Sequence, residues 1–267
     1  MTKKELLEKY KKEEEKMAIA KMLDKIEIAE NKNKITYTDF LDEYTKTLLV
    51  KVLNQMKKEY RVFGGFDNAE RNVIIFYPSK MKFLFDECKF DYNTIFSVIR
   101  ITVTSEEKNY NHRVFLGGLI KLGIKREKIG DILVNDSGAD IIILKELEKF
   151  LYSNITSLKS FSKSEIELIN LQNLTVKEPE YEEIKIVVPS LRLDNIVAEL
   201  SKTSRNKTNE IILAERVFVN GECITKNTKI MHEKDRITIR GKGRFIIEEI
   251  QGETRNGRIK IKIKYFK

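Results

Sequence analysis

The residues with the most to say about chemistry stand near the C-terminus, where Arg205 and Lys207 follow Ser204, a side chain suited to cap a helix. Cations in a first helical turn oppose the backbone dipole, at a cost of about a few tenths of a kcal/mol. The conflict resolves if a phosphate binds there, because open N–H groups, the dipole and two cations would converge on one anion. Further on, Arg240, Lys242 and Arg244 alternate across Gly241 and Gly243. The implied chemistry is anion binding. Nothing of catalytic pattern accompanies it: the chain lacks a cofactor-type glycine-rich loop and any nucleophile spaced for an adjacent base.

Neither cysteine has another nearby, and His112 and His232 show no metal-ligand spacing with them, so neither zinc nor a disulfide is expected. Cys88 and Cys223 read as reduced, partly buried thiols. No cofactor is expected.

The net charge of +9 is unevenly placed. Residues 190–267 carry 18 Lys and Arg against 10 Asp and Glu, whereas residues 1–189 are nearly balanced at 32 against 31. If about five of these cations met phosphates, affinity would fall by two to three orders of magnitude between about 50 and 200 mM salt. The tail RNGRIKIKIKYFK alternates Ile259, Ile261, Ile263 and Tyr265 with Arg258, Lys260, Lys262 and Lys264. That basic row fits either a phosphate track at roughly 6.5–7 Å spacing or an edge strand guarded by lysines.

The elements that must position these groups fall into three segments. Residues 1–80 form a helical region with a short strand, whose second helix begins at Thr38 as N-cap and carries Phe40, Leu41, Tyr44, Leu48, Leu49, Val52 and Leu53 on one face. Within residues 81–178 the order is β-α-β-β-α-β: FSVIRITVTS, NHRVFLGGLIKLG, IGDILVND, ADIIILK, LEKFLYSNITSL and EIELINLQ. This is a ferredoxin-like, RNA-recognition-like plait. Its central strands carry one aromatic, Phe96, at an edge, so recognition by base stacking is disfavoured. Pro179 and the acidic stretch 177–183 mark a linker. In residues 184–267, Leu193, Ile196, Val197 and Leu200 define the buried face of one helix, and Ser204 starts another. A strand at Val217–Val219, an Asn220-Gly221 turn and a strand at Asp235–Ile239 follow. No stretch is long and apolar enough to span a membrane and the first twenty residues carry no export signal, so a cytoplasmic protein is expected.

SLRLDNIVAEL, SRNKTNEII, the VFVNG turn and DRITIRGKGRF together resemble the RNA-binding domain named after ribosomal protein S-four, the αL motif. VFGGFDNAERNVIIFYP, NHRVFLGGLIKLGIKREKIGDILV and IRGKGRFIIEEIQGETRNGRIKI resemble the bacterial YlmH family, in that order, from about residue 60 to the end. The resemblance implies an α+β protein with an N-terminal helical segment, a central plait and a C-terminal S-four-like domain. It implies a non-enzymatic, monomeric RNA-binding protein of the large (50S) ribosomal subunit, ribosomal RNA or peptidyl-tRNA, acting where stalled chains receive alanine tails. The matching RNA-binding positions are Arg192, Arg205, Asn206, Lys207, Arg216, Asn220, Lys226, Arg240, Lys242 and Arg244. His112, Arg113, Lys125, Arg126 and Lys128 form a second candidate surface for RNA or a protein partner. Two positions depart from the family pattern: Val114 replaces a common aspartate, and Lys242 a common aromatic. Two alternatives stand beside this reading. Arg192-Leu193-Asp194 echoes the catalytic signature of pseudouridine synthases, which would make the chain an RNA-modifying enzyme, and the charged N-terminal helices would suit a cell-division-linked interaction protein.

Overall fold

A computed structural model describes residues 3–103, 110–177 and 180–266. The chain forms two compact units, Met1–Lys177 and Glu178–Lys267. Glu178 and Pro179 of the expected linker, and Thr104 and Ser105 of the expected first plait strand, lie outside the described residues.

The first unit opens with α1 (Lys3–Leu7), α2 (Glu13–Lys32), β1 (Thr36–Tyr37), α3 (Glu43–Gln55), β2 (Arg61–Phe63), β3 (Val73–Phe76) and α4 (Lys82–Asp86). Helix α3 is capped by Asp42, which accepts from Thr45 N at 2.7 Å, and not by Thr38. The backbone around Thr38 is instead taken up by pairing: Thr38 N donates to Ile74 O, Thr38 Oγ1 accepts from Ile74 N at 3.0 Å, and Leu41 bridges Asn72. Phe40 and Leu41 therefore precede the helix, and Phe40 enters the interior. Sheet β1-β3-β2 packs Ile74 and Phe76 against Ile19, Met22 and Ile26 of α2 and Leu49, Val52 and Leu53 of α3.

The plait follows as β4 (Phe96–Thr102), α5 (His112–Lys121), β5 (Ile129–Asn135), β6 (Gly138–Leu144), α6 (Glu148–Asn154) and β7 (Glu165–Ile169). Its antiparallel sheet has the order β5-β6-β4-β7, which the βαββαβ sequence pattern requires. The β5–β6 turn needs a glycine, because Gly138 has φ +154° and a Cβ there would stand 1.8 Å from Ile101 O. Alternation decides the two faces. Ile99, Ile101, Ile141 and Ile143 pack beneath Phe115, Leu119, Leu151 and Ile155, while Phe96, Val98, Ile142 and Leu144 face Phe40, Val73, Ile75 and Phe85. Residues on both sides of position 80 thus share one core. This is why β3 is buried along its whole length: its alternate residues serve two different layers.

The second unit contains β8 (Glu182–Val188), α7 (Leu193–Ser201), α8 (Arg205–Leu213), β9 (Val217–Val219), β10 (Glu222–Cys223), β11 (Arg236–Ile239), β12 (Gly243–Glu253) and β13 (Ile259–Phe266). One antiparallel sheet, β10-β9-β11-β12-β13-β8, packs Val217, Val219, Ile237, Ile239, Phe245, Ile247, Ile261 and Ile263 against Leu193, Ile196, Val197, Leu200 and Ile212. Strand β8 was not anticipated, although its run IKIVV carries the β-branched signal. It changes the meaning of the tail. Strand β13 lies between β12 and β8, so its lysines guard no edge. Nor do Lys262 and Lys264 make a phosphate track: Lys262 contacts Glu183 at 2.8 Å and Glu248 at 3.6 Å, and Lys264 contacts Glu248 at 2.7 Å. The acids on the neighbouring strands account for this. Both cysteines are exposed, not partly buried.

Candidate nucleic-acid interface

Helix α8 starts with the expected cap, Ser204 Oγ accepting from Lys207 N at 3.4 Å. Thr208, fully buried, anchors the turn by bonding Thr203 Oγ1 and Ser204 O, both at 3.0 Å. This leaves Arg205, Asn206 and Lys207 exposed on the first turn. Lys207 reaches Glu210 at 2.7 Å, but both side chains are more than 60% exposed, so the pair holds little energy and opens easily.

Arg192 stands just before α7 and makes a two-pronged contact with Asp194, Nε at 3.1 Å and Nη2 at 2.7 Å. Arg205 Nη2 approaches the same carboxylate at 4.0 Å, so two of the expected residues from separate helices converge on one acid. Arg192's hydrogen bonds hold the Asp194 carboxyl below the usual carboxylate range, and burial works the other way. Lys226 is exposed in the loop after β10; the adjacent Asn227 accepts from Asp194 N at 3.1 Å and donates to Asn209 of α8 at 3.3 Å. Lys226 therefore borders the same place.

A second group forms where β9 meets β11. Arg216 donates to Arg240 O and accepts from Arg240 N, both at 2.9 Å, and the Arg240 guanidinium lies over the Phe218 ring at 4.7 Å. Lys242 is exposed at the tip of the β11–β12 turn, and its carbonyl accepts from Tyr265 Oη at 3.2 Å. Arg244 follows half-buried on β12, paired across strands with Thr238 and Phe266. Asn220 differs from expectation. It adopts φ +50° in the turn, with Gly221 at +82°, and its amide is committed: Nδ2 donates to Asp235 at 2.8 Å and Oδ1 accepts from Arg236 N at 2.9 Å. Asn220 builds the hairpin, spending one amide N–H and one oxygen lone pair on it.

The other surface is smaller than expected. Arg126 is half-buried and donates to Ile129 O at 2.6 Å and Gly130 O at 3.3 Å; burial and then the neighbouring Arg71 lower its pKa to about 10. It latches backbone to backbone. Lys128 is held between Asp39 at 2.7 Å and Glu146 at 2.6 Å. His112 and Arg113 remain exposed at the start of α5, which Asn111 caps, and Lys125 is exposed beyond the end of that helix. Burial and the Arg126 charge lower the His112 pKa, favouring the neutral imidazole.

The sheet face on which RNA-recognition plaits stack bases is closed here. Its apolar half lies beneath Phe40, Val73, Ile75 and Phe85. At its other end Asp140 is fully buried, bound by Arg100 through Nε and Nη2 at 2.7 Å each, and Thr175 N donates to it at 3.1 Å. Lack of aromatics argued against stacking from the sequence; the covering layer was not visible there.

Residues 89–175 match the family model described as "Putative RNA-binding domain in YlmH". With the α+β architecture above, this match makes the central plait similar to the RNA-binding domain of the YlmH family. The chain is 27% identical over 248 residues to the ribosome-associated protein quality control protein P2 of Bacillus subtilis (strain 168), covering 93% of this chain and 94% of that protein. Among solved structures, cell division protein ylmH from Streptococcus pneumoniae matches with a TM-score of 0.46 and 18% identity, covering 61% of this chain and 95% of that chain.

Proposed function

We propose that the protein binds ribosomal RNA or transfer RNA on the large ribosomal subunit through its second unit, read as an S-four-like domain, and that it catalyses no reaction. The observation that carries this is the first turn of α8, where exposed Arg205, Asn206 and Lys207 surround open backbone N–H groups beside the Arg192–Asp194 pair. Arg216, Arg240, Lys242 and Arg244 extend the cationic surface, and His112, Arg113 and Lys125 offer a second contact. The B. subtilis relative is named for ribosome-associated quality control, which favours a role in that process; the proposal extends to stalled chains given alanine tails and to a monomer acting in the cytoplasm. A pseudouridine-synthase reading gains no support, because a catalytic aspartate must reach its base whereas the Asp194 side chain is 1% exposed and bound by Arg192. The test is co-sedimentation of the full chain with 50S particles at 50 to 200 mM salt, about the range over which phosphate contacts weaken. The native chain should sediment in a salt-sensitive manner, and Arg205→Glu/Lys207→Glu should be lost from the pellet. Undiminished sedimentation of that variant would overturn the proposal.

A further inference from the structure

We infer that Asp194 is the positioning residue of this interface, its buried carboxylate holding Arg192 and Arg205 in the orientation in which they meet RNA phosphates. The inference rests on the RNA-binding reading above. Its ground is how the carboxylate is used. Oδ1 accepts from Arg192 Nε at 3.1 Å and from Asn195 N at 2.9 Å; Oδ2 accepts from Arg192 Nη2 at 2.7 Å and lies 4.0 Å from Arg205 Nη2. The acid itself is fixed from outside the helix pair. Asp194 N donates to Asn227 O at 3.1 Å, Leu193 N donates to Lys229 O at 2.8 Å, and Arg192 bridges Ile230.

The charge arithmetic separates positioning from simple neutralisation. Two guanidiniums share one carboxylate, leaving one excess positive charge. An acid that served only to balance charge would weaken RNA binding. A planar guanidinium has five N–H donors, however, and the two-pronged contact uses two from Arg192, leaving three directed elsewhere in a fixed plane. The Arg192 side chain is 34% exposed and that of Arg205 72%, against 1% for Asp194, so the acid is hidden while the bases it holds are open. Arg192, bound at two points, has already surrendered in the folded protein the rotamer freedom that it would lose on meeting RNA, and Arg205 is drawn toward the same carboxylate by charge.

Asp194→Asn decides the matter by sign. The substitution raises the net charge by one, so bulk electrostatics predicts tighter binding to 50S particles, whereas positioning predicts weaker binding. The expected loss is about two- to tenfold, the span for immobilising one such side chain, Arg192, during binding. The slope of log affinity against log salt should also fall, by up to about 1.8 for Asp194→Asn against about 0.9 for Arg205→Gln. Glu210→Gln, which releases Lys207 and likewise adds one positive charge, should bind as tightly as the native chain or more so.

The two ideas fail differently. If Arg205→Gln sediments with 50S particles as the native chain does, the RNA-binding reading falls. If Arg205→Gln weakens binding while Asp194→Asn leaves it equal or tighter, Asp194 positions nothing and this inference alone is overturned. Should Asp194→Asn fail to fold, the native chain answers by nuclear magnetic resonance. The Arg192 Nε–H signal should be resolved from the bulk arginines and slow to exchange before RNA is added; a signal averaged with the others would overturn the inference.

Discussion

Replacing Arg100 with methionine should destabilise the first unit by about 3 kcal/mol, toward the lower end of the cost of stripping one partner from a buried ion pair. The magnitude comes from the Asp140 side chain, which is 0% exposed and receives two 2.7 Å bonds from Arg100. Without Arg100 the carboxylate keeps the 3.1 Å bond from Thr175 N, and its charge loses its cation. The arginine is 28% exposed, so solvent screens part of the lost attraction, and the lower end of the range applies. Arg100 also ties down the covering segment, donating to Asn173 O at 3.0 Å and Thr175 Oγ1 at 3.2 Å. The double variant Arg100→Met/Asp140→Asn should recover most of the loss, because an amide oxygen can still accept from Thr175 N and carries no charge to bury. Urea unfolding of the full chain, followed by a probe confined to the first unit, measures both. A single variant within about 0.5 kcal/mol of the native chain, or a double variant no better than the single, would refute the reasoning.

Phe40→Ala should cost about 3–5 kcal/mol in the same unfolding measurement, because its ring is 1% exposed and fills the layer between β3 and the plait. Gly138→Ala should prevent a stable β5–β6 hairpin, given the 1.8 Å approach to Ile101 O; loss of slow amide exchange in β6 would report it. Lys262→Gln/Lys264→Gln should leave 50S co-sedimentation unchanged within about twofold, since these lysines face Glu183 and Glu248 and are not offered to a polyanion. Because the Asp194 pKa is depressed, its stabilising effect is present above the ordinary carboxylate value of about 3.9 and is lost as pH falls through the lower folded value. The second unit should accordingly show constant stability attributable to this pair from about pH 8 to 5, and a thermal melt that dropped across that window in the native chain but not in Asp194→Asn would contradict it.

Much of the architecture was legible because its signals are local. The βαββαβ order could be followed through β-branched runs, a glycine after α5 and a Ser-Gly turn, and the buried face of α7 through Leu193, Ile196, Val197 and Leu200. The Ser204 cap and the exposed cations of α8 were readable for the same reason: a cap and its first turn lie within four residues.

Other features depended on partners remote in the chain. Thr38 has the chemistry of a cap, yet strand pairing with Ile74 consumes its groups and passes the role to Asp42. Asn220 has the chemistry of a ligand, yet Asp235 and Arg236 bind its amide. The tail lysines could be assigned only once β8 stood beside β13 and brought Glu183 to Lys262. Asp194 stood in the sequence only as part of an echoed catalytic signature until the fold buried it beside Arg192 and brought Arg205 toward it. Composition and periodicity determined that a basic C-terminal unit would fold and which faces would be apolar, since residue type and spacing suffice for both. Tertiary structure alone decided which cations remain open to a polyanion, because charge is neutralised by whatever lies within a few ångströms in space, however far away it stands in sequence.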